Sequence, residues 1–98
     1  MCVSIDRIKA TTDMIAKEYD VNSIYLFGSY ARGDARDDSD IDMLVDADSL
    51  DFLSMSRMRQ ELAESLDTDV DMIYNGAVSD VFKFLIKDDQ ILIYEKSR

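Results

Sequence analysis

Apolar side chains return at helical spacing near the start of the chain. Ile5, Ile8, Thr12, Ile15 and Tyr19 fall on one face, which predicts a helix over 4–18 with Ser4 as its cap. Ile24–Phe27 is a short apolar run that stops at Gly28, the pattern of a strand followed by a turn. A polar stretch over 34–39 predicts a loop, and Ile41–Val45 predicts a second strand with Asp40 and Asp42 at its start. Leu50, Leu53, Met58, Leu62 and Leu66 suggest an amphipathic helix over 50–66. Val70–Tyr74 reads as a third strand, ended by the Asn75-Gly76 turn signal. Ser79 can cap a helix over 80–87 that buries Val81, Phe82, Leu85 and Ile86, and Gln90–Tyr94 closes the chain as a short strand.

The predicted order is α-β-β-α-β-α-β. Strands and helices mixed in one short chain predict an α+β or α/β layered fold, a small mixed sheet with helices packed mainly on one side. The pattern does not order the strands. Ninety-eight residues suffice for one domain, taken as 1–98, and not for two. Tyr25, Phe27, Phe82 and Phe84 are expected in the core, and the six methionines as core filler or partner surface.

Charge narrows the function. The net charge is −10, and 17 of the 21 acids are Asp, a poor helix and strand former. Such a balance argues against non-specific nucleic-acid binding, which needs Lys and Arg, and favours a basic partner or a bound cation. The absence of His excludes His-based triads and most zinc sites. A single cysteine, Cys2, rules out an internal disulfide and fits a reducing compartment. With no membrane-length apolar run and no signal-peptide pattern, the expectation is a soluble, cytoplasmic protein.

The chemistry concentrates in residues 28–42. Asp40 and Asp42 sit two apart at a strand start, so alternation aims them the same way. Adjacent carboxylates repel unless a cation lies between them, and Mg²⁺ binds through one or two carboxylates, water and substrate phosphates. Such a pair can hold two ions that bridge a triphosphate and an attacking oxygen. Asp71, inside the third strand, can supply a third carboxylate that favours deprotonation of an acceptor hydroxyl. Asp69 projects from the same face and is the rival. Gly28-Ser29 follows a strand and opens a turn. Its glycine admits a phosphate close to the backbone, and its N–H groups and hydroxyl can donate to that phosphate. Arg32 can pair with a phosphate or with a nearby acid, Tyr30 can pack or touch a nucleotide, and Gly33 serves the turn. An EF-hand fails on spacing, since a loop counted from Asp34 or Asp37 lacks the required Gly and Glu.

Gly-Ser, ten residues, then Asp-x-Asp resembles the signature of the polymerase-β-like nucleotidyltransferase superfamily. The longer string GSYARGDARDDSDIDMLV resembles the minimal nucleotidyltransferases, the antitoxin halves of prokaryotic HEPN/nucleotidyltransferase toxin–antitoxin pairs. The resemblance implies the small nucleotidyltransferase core, with Gly28 and Ser29 holding the triphosphate. It implies Asp40, Asp42 and Asp71 as metal-binding and catalytic carboxylates around Mg²⁺. The implied reaction moves AMP from ATP to a hydroxyl, taken as a tyrosine of a partner HEPN toxin, within a hetero-oligomer. Two other readings compete. One is an antitoxin that neutralises by contact alone, its acidic surface docking on a basic partner. The other is an aminoglycoside-type enzyme, which a chain of this length leaves little wall to build.

Overall fold

The computed structural model describes residues 2–74 and 87–96. Helix α1 runs over Ile5–Ala16, β1 over Ser23–Phe27, the short α2 over Gly28–Arg32 and β2 over Ile41–Asp46. Helix α3 follows over Phe52–Leu66, then β3 over Val70–Tyr74 and β4 over Ile91–Glu95. The helix expected over 80–87, with Val81, Phe82, Phe84, Leu85 and Ile86, lies almost wholly outside the described residues.

The strands form one mixed sheet in the order β3-β2-β1-β4. β1 pairs antiparallel with both β2 and β4, and β2 pairs parallel with β3. The parallel pair requires a long crossover, which α3 supplies. The observed fold is thus the α+β layer expected from the alternation of elements.

Alternation along the strands divides the sheet into two faces. Ile24 and Leu26 of β1 and Ile41, Met43 and Val45 of β2 are fully buried in the core with Ile8 of α1 and Met58 and Leu62 of α3. The opposite face carries Asp42, Leu44 and Asp46 of β2, registered against Phe27, Tyr25 and Ser23 of β1. Apolar on one side and acid-bearing on the other, β2 is the element that presents carboxylates above a packed core.

Helix ends follow their local chemistry. Ser4 caps α1 by accepting from the Arg7 N–H at 3.1 Å, and Asp51 caps α3 by accepting from the Ser54 N–H at 2.7 Å. Tyr19, beyond the end of α1, donates to Glu61 of α3 at 2.7 Å. Burial and that carboxylate partner push the Tyr19 hydroxyl up to about 12. Leu53 departs from expectation, being 67% exposed. Five residues at 100° each place it about 140° from Met58, so it cannot join the buried row of Met58, Leu62 and Leu66. Among the described residues no helix is long and apolar enough to cross a membrane.

Candidate active site

β1 ends at Phe27, and the chain turns at once into α2. Gly28 takes φ +74°, in the left-handed region that favours glycine. Gly33 ends α2 at φ +85°, where the Gly33 and Asp34 N–H groups both donate to the Ser29 carbonyl at 3.0 Å. The Gly-Ser segment is therefore a tight, backbone-defined turn. Among the described residues the Ser29 hydroxyl has no protein partner, so it is available to a ligand. Tyr30 is buried in the core and takes the packing role.

Antiparallel pairing sets Phe27 opposite Asp42, which brings the Gly28 turn beside the second aspartate of Asp40-x-Asp42. Parallel pairing sets Asp71 directly alongside Asp42. Register partners share a face, so Asp42 and Asp71 stand side by side on the sheet surface opposite α1 and α3. Asp40 lies just before β2, where the Ile41 N–H donates to the Asp69 carbonyl at 2.9 Å. Asp40 and Asp69 border a separate acidic cleft of about 480 Å³, with Asp37, Asp38, Glu64 and Asp67 around it.

Electrostatics follow the same geometry. Partial burial raises the Asp42 carboxyl above its ordinary value, the charges of Asp71 and Asp40 push it further, and Arg32 opposes them. Arg32 is committed in part elsewhere, since its Nε pairs with Asp34 at 3.3 Å on the surface. It acts as a positive charge at the edge of the site with a local acid partner, the second of the two pairings expected of it.

Among the described residues no three carboxylates converge closely enough to enclose an ion by themselves. Magnesium does not require such a cage; it takes one or two carboxylates and completes its shell with water and phosphate oxygens. Two adjacent carboxylates, one of them disfavoured in its charged form, suit Mg²⁺ brought in with a triphosphate. Sequence reasoning placed Phe27 in the core, and it is buried, but on the carboxylate face beside Asp42. The signal was alternation, because Phe27 shares parity with Tyr25 and not with Ile24 and Leu26.

Comparison with known proteins adds to this geometry. The family model described as polymerase beta, nucleotidyltransferase, matches residues 9–98. The protein adenylyltransferase MntA of Shewanella oneidensis is 45% identical over 67 residues, which is 67% of this chain and 46% of that protein. A toxin–antitoxin crystal structure with AMP-PNP superposes with a TM-score of 0.78 at 28% identity, over 90% of this chain and 73% of that one. A complex of tri-AMPylated Shewanella oneidensis HEPN toxin with its MNT antitoxin superposes at 0.72 and 25% identity, over 94% and 73%. The site lies within the matched region, and the chain belongs to the polymerase beta nucleotidyltransferase family.

Proposed function

We propose that this chain is a Mg²⁺-dependent protein adenylyltransferase that transfers AMP from ATP to a tyrosine hydroxyl of a partner HEPN toxin. It works as a single catalytic domain over 1–98, in the cytoplasm, in a hetero-oligomer with that toxin. The observation that carries the reading is the side-by-side pair Asp42 and Asp71 next to the Gly28-Ser29 turn. The nucleotide-containing toxin–antitoxin structure supports ATP as donor, and the tri-AMPylated toxin in the Shewanella complex supports a HEPN acceptor.

The Gly28-Ser29 backbone and the Ser29 hydroxyl hold the triphosphate, and Arg32 adds positive charge at its edge. Asp42 and Asp71, with Asp40 flanking them, hold the Mg²⁺, which when bound neutralises phosphate charge and acidifies the acceptor hydroxyl. Asp71 receives the proton as the acceptor oxygen attacks the α-phosphorus. The bond from that phosphorus to the bridging oxygen of the β-phosphate breaks, and pyrophosphate leaves.

Co-expression with the HEPN partner tests the proposal. Wild type neutralises the toxin and leaves it heavier by whole AMP units, whereas Asp42→Asn still binds the toxin but leaves it unmodified and toxic. Neutralisation retained by Asp42→Asn, with an unmodified toxin, contradicts it and makes the chain an antitoxin by contact alone.

A further inference from the structure

We infer that Gly28 is a positioning residue for Asp42, its missing side chain leaving the space into which the Asp42 carboxylate turns. The functional consequence rests on the proposed nucleotidyl transfer; the packing relationship does not.

Among the described residues, the two positive-φ glycines flank one five-residue helix and make different demands. A Cβ at Gly33 meets nothing within 4 Å, so Gly33 answers to backbone conformation alone. A Cβ at Gly28 collides with the Asp42 carboxylate oxygen and lies 3.2 Å from its Cγ and 3.4 Å from its Cβ. All three atoms belong to one side chain, so Asp42 occupies the space that a side chain at 28 would need. Any L residue at 28 must turn that carboxylate away, and the available escape is rotation about its own χ1.

The contact has a consequence for the site. The backbone that receives phosphate and the carboxylate that receives the metal face each other with no side chain between them. The β1–β2 pairing that sets Phe27 opposite Asp42 fixes how near they lie. A loop glycine of this kind both admits the phosphate and fixes the bearing of the carboxylate beside it. A side chain at 28 changes the second without removing a metal ligand.

Gly28→Ala, Gly33→Ala, Asp42→Ala and the Gly28→Ala/Asp42→Ala pair form the test. Both glycines sit at positive φ, so Gly33→Ala is the reference for a Cβ placed there with no neighbour in its way. In thermal unfolding, Gly28→Ala is expected to lower Tm more than Gly33→Ala in the wild-type background, and to lower it by less once Asp42 is Ala than it does in the wild-type background. In AMP-PNP binding titrated with Mg²⁺, the half-saturating Mg²⁺ concentration rises about ten-fold in Gly28→Ala and stays near wild type in Gly33→Ala. A Gly28→Ala chain that folds only in the Asp42→Ala background also supports the coupling. Equal Tm losses in both backgrounds, an unfolded chain in both, or a Mg²⁺ requirement that Gly28→Ala leaves unchanged overturns it. The unfolding cycle reads out even if wild type binds no nucleotide, a result that would count against the proposed function alone.

Discussion

Asp42 of β2 and Asp71 of β3 are direct register partners across the parallel pairing of β2 with β3. Twenty-nine positions apart in sequence, they are held together by backbone hydrogen bonds rather than by any attraction between them. Two acids forced together on a partly buried surface cost folding free energy, and a bound cation recovers it. The sheet thus stores an unfavourable contact at the position where a metal-bridged triphosphate would relieve it.

Removing the repulsion therefore stabilises the metal-free protein. The Asp42 carboxyl is raised in the folded state, so its protonated form favours folding at low pH and this contribution is lost as pH rises through the raised value. In EDTA at neutral pH, Asp42→Asn is expected to raise Tm. The gap between variant and wild type closes as pH falls below about 4, the unfolded carboxylate value. Thermal melts across pH check both the sign and the closure.

Ligand binding reverses that order. Mg²⁺ with AMP-PNP is expected to raise the wild-type Tm, the folded state gaining about 2.7 kcal/mol when the complex is present at a hundred times its Kd. EDTA abolishes the rise, and so does Asp42→Asn. Differential scanning fluorimetry with and without chelator measures it.

Asp71 and Asp69 separate in single-turnover transfer. Asp71 partners Asp42, while Asp69 borders the cleft beyond Asp40. Asp71→Asn is expected to slow transfer by roughly 10²-fold or more, the range for losing a positioned base. Asp69→Asn changes it by less than about ten-fold, a bound set well below that general-base range.

Helix α3 offers a packing test. Met58 is fully buried, and Met58→Ala is expected to cost about 2–5 kcal/mol in urea unfolding. Phe52 is 84% exposed, and Phe52→Ser stays within about 0.5 kcal/mol of wild type.

Much of this was legible in the chain itself because the deciding forces are local. Ile8, Thr12 and Ile15 repeat at helical spacing and form the buried row of α1, and Val70–Tyr74 is β3 to the residue. Leu53 misled because an apolar residue at a helix start looks like a core residue until its angle to Met58 is counted. Which of Asp69 and Asp71 stands beside Asp42 depends on register, which only pairing with β2 defines. The pairing of Arg32 with Asp34 and the contact of Gly28 with Asp42 were invisible for a similar reason. Both are side-chain geometries that exist only after the turn and the sheet have formed.

The central claim is nucleotidyl transfer to protein, and transfer of label from α-phosphate-labelled ATP measures it directly. The purified chain is incubated with Mg²⁺ and its HEPN partner, with an Asp40→Asn/Asp42→Asn double variant as control. The account predicts label on the partner, absent with the double variant and absent in EDTA. Well-folded chain that transfers no label from any of the four nucleoside triphosphates, while still binding and silencing the partner, contradicts it.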